Sequence, residues 1–125
     1  MKNILLAIAA ALALLSPANA RTFSARQIEA IRMTTIAGLA GDYCLEIVGA
    51  AYELGGVLID AGIETSDFGT PEYERIRRDA KAALDSEPNA SRCGGLWNLF
   101  GPGGSYGRQL VRRRRPDDPP YVWKR

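Results

Sequence analysis

The sequence predicts an all-α fold: a small exported domain of four to five helices, stapled by one disulfide and followed by a flexible basic C-terminal tail. Three observations lead there. Apolar residues recur at three- and four-residue spacings over much of the chain, the period of a buried helical face. Cys44 and Cys93 are the only two cysteines in 125 residues. The first 20 residues have the layout of a secretory signal peptide.

In that leader Lys2 supplies the positive start, residues 4–15 form an apolar run without a charge, and Ala18-Asn19-Ala20 is a small-x-small cleavage site. An apolar run of about 12 residues is well short of the roughly 20 that span a bilayer, so cleavage near Ala20 is expected in place of anchoring. No cysteine directly follows the site to carry a lipid anchor. The chain then divides into a signal peptide (1–20), a helical domain (21–111) and a basic, proline-containing tail (112–125), with a periplasmic or secreted destination. An even, minimal number of cysteines in an oxidising compartment pairs most simply as Cys44–Cys93. Closing a loop of about 50 residues contributes about 4 kcal/mol in the chain-entropy model.

The first helix should start at Phe23-Ser24-Ala25-Arg26-Gln27-Ile28, where Ser24 and Gln27 form a capping box and Phe23 and Ile28 a hydrophobic staple. Ile28, Ile31, Met33 and Ile36 give its apolar positions, and the glycines at 38 and 41 end or bend it. Cys44, Ile47, Val48, Ala51, Leu54 and Leu58 continue the helical spacing as a second helix, with Gly62 as its C′ residue. Gly49, Gly55 and Gly56 each cost up to about 1 kcal/mol there, which close packing of another helix would explain; a hinge or ligand-facing groove is the functional account. Val57-Leu58-Ile59 also reads as a short strand, since periodicity alone does not separate the two.

Residues 64–69 form a polar loop. Thr70-Pro71 opens a third helix, with Tyr73, Ile76, Ala80, Ala83 and Leu84 inward and Glu74 and Arg78 as an i,i+4 pair. Arg75, Arg77, Arg78 and Lys81 interleave with Glu72, Glu74 and Asp79, the composition of a solvated face. After the break at Ser86-Glu87-Pro88-Asn89, Cys93, Leu96, Trp97 and Phe100 mark a fourth helix that Gly101-Pro102-Gly103-Gly104 terminates. The glycine-rich stretch lacks the Gly-Lys-Ser/Thr ending of a phosphate loop. Residues 105–111 form one more turn or a short strand.

The chain contains no histidine, which removes Ser-His-Asp and Cys-His catalysis and histidine-based zinc sites. No cofactor and no metal is expected. Glu46, Glu53 and Asp60, seven residues apart, would form an acidic edge on one helix, with surface solubility as the plain account and a carboxylate-dependent cell-wall hydrolase as the catalytic one. Residues 21–107 carry 8 Lys+Arg against 12 Asp+Glu, whereas residues 108–125 carry 7 against 2. Arg112, Arg113, Arg114 and Arg115, with Tyr121 and Trp123 behind them, are therefore the candidate binding residues, for an acidic protein or for anionic lipid or lipopolysaccharide. A solubilising tail is the structural alternative, and nucleic acid is a poor match for an exported chain.

An exported, helical chain with one Cys44–Cys93 pair resembles in architecture the small periplasmic acid-stress chaperones. The glycine-rich second helix, the glycine-rich connection at 101–104 and the arginine run depart from them, and the resemblance carries no functional residue across. The expected activity is thus that of a noncatalytic envelope or secreted protein that binds another protein, as an accessory subunit, inhibitor or stress-related factor.

Overall fold

A computed structural model of the chain describes residues 21–119. The expected signal peptide, Tyr121 and Trp123 lie outside the described residues. The fold is mostly helical. Its elements are α1 (Ala25–Gly38), a one-turn α2 (Ala40–Tyr43), β1 (Ile47–Gly49), α3 (Ala51–Asp60), a 3-10 turn (Thr65–Asp67), α4 (Pro71–Ser86), α5 (Asn89–Phe100) and β2 (Val111–Arg113).

Helix starts and stops follow the local chemistry. The Ser24 hydroxyl accepts from the Gln27 amide and the Gln27 side chain accepts from the Ser24 amide, forming both halves of the capping box. Phe23 is buried in the same apolar cluster that Ile28 packs against. At the end of α3, Gly62 adopts φ +79° and donates to Ile59 O, while the Ile63 amide donates to Leu58 O. This pair of bonds satisfies the last carbonyls of the helix and needs the left-handed residue at its centre. Pro71 opens α4 at N1, although the Thr70 hydroxyl donates backward to Asp67 O and does not cap the helix.

The all-α expectation is corrected at residues 44–49. Instead of one helix running from Cys44 to Leu58, α2 stops at Cys44, β1 follows, and α3 begins at Ala51. Gly49 suits the close approach that this path requires. A Cβ built on Gly49 would lie 3.0 Å from Ala37 O and 3.0 Å from Gly38 Cα, so the strand lies tight against the end of α1. The β-branched pair Ile47-Val48 suits that extended path. The short apolar run 57–59, which left strand and helix open, is helical.

β1 pairs antiparallel with β2 in the register Ile47 to Arg113, Val48 to Arg112 and Gly49 to Val111, and the Ala50 and Arg114 amides extend the ladder to Leu110 O and Glu46 O. β2 carries Arg112 and Arg113 into the folded body. The main core gathers Ala37, Cys44, Ile47, Leu96, Phe100, Leu110 and Val111 from both sides of this ribbon. A smaller core, with Phe23, Ile31, Ile63, Tyr73 and Ile76, joins α1 to α4. Cys44 and Cys93 are bonded, their Cα atoms 5.8 Å apart, and tie the end of α2 to α5.

Candidate functional site

The four arginines do not share one environment. In an extended strand, successive side chains point to opposite faces. Arg112 and Arg114 are half-buried and Arg113 and Arg115 exposed; by alternation Arg113 lies on the face of the buried Val111 and Ile47 and extends past them over Trp97.

The inward pair is engaged within the molecule. Arg112 grips Asp118 with two bonds of 2.8 and 2.6 Å, and Asp118 also accepts the Arg115 amide at 2.6 Å. The Arg112 guanidinium, helped by that amide, holds the Asp118 carboxyl well below the usual carboxylate range. Arg114 donates to Leu45 O at 2.8 Å, Gly41 O at 2.8 Å and Cys44 O at 3.0 Å, and also to Pro119 O. It thus closes off carbonyls at the C-terminal end of α2, where a cation also suits the helix dipole.

The outward pair lines a shallow, open depression of about 560 Å³ with Leu45, Glu46, Arg114 and Pro116. The Arg113 guanidinium lies 4.1 Å from the centre of the Trp97 ring, and Glu46 is 3.4 Å from it. That carboxylate is 79% exposed, so solvent screens the pair strongly. Continuing the ribbon's register by two pairs places Leu45 opposite Arg115, and Leu45 is 66% exposed. Leu45 O accepts from Arg114, and the preceding residue, Cys44, is bonded to Cys93.

Three backbone groups along the outer edge of β2 are engaged within the chain. Gln109 donates to Val111 O at 3.3 Å and Arg112 to Arg113 O at 3.0 Å, while the Arg115 amide is held by Asp118. Such capping protects an edge strand from pairing with another chain.

The acidic edge expected from Glu46, Glu53 and Asp60 is not formed on one helix. Glu46 precedes β1, Glu53 lies in the first turn of α3, and Asp60 ends α3 bound to Arg108 at 2.7 Å. The break at β1 separates Glu46 from the other two, while Glu53 and Asp60 remain seven residues apart on α3. Close helix packing, expected at the glycines, holds for neither helical one: no atom lies within 4 Å of a Gly55 Cβ, and Gly56 faces the Arg108 guanidinium at 3.3 Å. Among the described residues, no group of three or more His, Cys, Asp or Glu side chains is placed to hold a metal ion.

A second concavity, an apolar groove of about 300 Å³, lies among Ile36, Leu84, Leu96 and Leu99. Arg92 at its rim is committed to Leu84 O, Glu87 O and Asn89, and its guanidinium stacks over Tyr43. Beside it the Tyr43 hydroxyl donates to Asp85, which Lys81 also binds. Burial and the Asp85 hydrogen bond push the Tyr43 pKa up, while Lys81 and Tyr43 hold Asp85 down.

Comparison with known protein families, curated proteins and solved structures finds no match.

Proposed function

We propose that this protein is a noncatalytic binding protein acting outside the cytoplasm, and that it holds another protein through the face bearing Leu45, Arg113, Arg115 and Pro116. The observation that carries this reading is the split of the arginine run: two guanidinium groups brace the fold, and two are displayed beside an exposed leucine on a rigid base. Arginine next to apolar surface is the composition of protein-binding patches. The Cys44–Cys93 bond and the leader-like first 20 residues support the location.

Truncation after Val111 is not a clean test, since it would remove part of β2. A photo-crosslinking residue at position 45 of the mature protein, exposed to the native cell envelope, tests the reading directly. One or a few proteins should be captured by wild type and lost with Arg113→Glu/Arg115→Glu. Undiminished capture by the reversed variant would contradict this use of the face. Anionic lipid or lipopolysaccharide is the second reading, favoured by Leu45 lying beside two arginines.

A further inference from the structure

We infer that the partner presents an extended acidic segment with carboxylates at alternate positions, an inference that rests on the binding face proposed above. Arg113 closes β2 and Arg115 follows two residues on, past the Arg114 amide that still pairs with Glu46 O, so their backbone spacing is at most about 6.5–7 Å. Alternate side chains of an extended partner repeat at the same distance and on the same side. Guanidinium and carboxylate groups pair through parallel hydrogen bonds, so two such pairs formed in register select spacing as well as charge. The contact runs through side chains, since the Val111 and Arg113 carbonyls and the Arg115 amide on the outer edge of β2 already have partners within the chain. Leu45 and Pro116 are available to an apolar neighbour of the acids.

Two observations favour a protein segment over a membrane. Arg112 and Arg114 are spent on Asp118 and on backbone carbonyls, leaving two outward arginines from the run where lipid recognition takes clusters of about four to eight basic residues. Glu46 stands at the rim, 3.4 Å from Arg113, and would face a uniformly anionic surface unfavourably. A discrete carboxylate displaces it from Arg113 at little cost, since exposed pairs of this kind are weak.

The test follows the backbone amides of Leu45, Arg113 and Arg115 and the Trp97 indole by NMR while the full mature protein is titrated with synthetic peptides. Asp-Val-Asp-Val-Asp should shift these signals. Val-Val-Asp-Asp-Asp, equal in charge but contiguous, should bind more weakly, and Asn-Val-Asn-Val-Asn should not bind. Arg115→Gln should weaken binding about threefold. Glu46→Gln should strengthen it about twofold, a gain that partial unfolding cannot produce. Equal affinity for the alternating and contiguous peptides would overturn the inference, as would binding to phosphatidylglycerol vesicles without peptide binding. If envelope capture at position 45 depends on both arginines while no acidic peptide shifts these amides, the partner chemistry is wrong and the protein-binding reading stands. If the peptide binds as described while capture is unaffected by charge reversal, the acidic-segment chemistry is supported and the face's use in the envelope is not.

Discussion

Two basic stretches of this chain have the same number of cations and opposite fates. On α4, Arg75 pairs with Glu72 and Asp79, Arg77 with Glu74, and Lys81 with Asp85, all at i,i+3 or i,i+4. Arg113 and Arg114 instead reach partners 67 to 73 residues away, at Gly41, Cys44, Leu45 and Glu46. Helical geometry returns a side chain to its own neighbours one turn away, whereas strand geometry alternates faces and sends it to another part of the chain. The α4 cations therefore solvate a surface, while those of β2 divide between bracing the fold and displaying charge. Backbone period, and not charge density, decides which.

The largest expected effect is removal of the corner to which the β2 arginines are anchored. Cys44→Ala/Cys93→Ala should cost about 4 kcal/mol, measured by urea unfolding of the variant against the oxidised protein. A loss close to zero would show that the ribbon and core hold α2 and α5 together unaided. Next, Arg114→Ala strips donors from the Gly41, Cys44 and Leu45 carbonyls, the first two partly buried, and should cost about 2 kcal/mol in the same measurement. Arg78→Ala on α4 should fall within about 0.5 kcal/mol of wild type, as is usual for surface changes. Equal losses at the two positions would erase the distinction drawn between the segments.

Asp118 gives a pH-dependent version of the comparison. Its carboxyl titrates lower in the folded chain than in the unfolded one, so its stabilisation is present above the unfolded pKa, near 4, and is lost as pH falls toward the folded value. Wild type should have the higher Tm against Asp118→Asn at pH 7, and the two should converge as pH is lowered below about 4. A difference constant across that range would mean that the ion pair with Arg112 is not the source. The smallest effect is expected from Arg75→Ala, which should leave Tm unchanged because its partners are exposed and local.

What the sequence made legible was local. Ser24 and Gln27 announce the start of α1, Pro71 that of α4 and Gly62 the end of α3, because each places a specific backbone requirement on a specific residue. The disulfide was legible from there being two cysteines alone. The ribbon was not, because Ile47 and Val48 fit a helical face as well as a strand, and the close approach of Gly49 to Ala37 and Gly38 is a tertiary contact. Glu46 left the carboxylate edge with it, since spacing by seven has meaning only on an unbroken helix, as it still does for Glu53 and Asp60 on α3. Four identical arginines in a row carry no alternation a reader can see. Leu45 and Asp118 were passed over for a related reason, as their importance comes from the ribbon register and from the turn that returns Asp118 to Arg112.

The most direct test of the divided arginine run is thermal unfolding of two double variants, Arg112→Ala/Arg114→Ala and Arg113→Ala/Arg115→Ala, side by side. Each removes two adjacent-but-one guanidinium groups from the same strand, so charge and composition are matched. The inward pair should lower Tm several times more than the outward pair, whose loss is confined to the stacking of Arg113 on Trp97 and a screened contact with Glu46. Equal losses, or a larger loss from the outward pair, would contradict the division on which the proposed binding face rests.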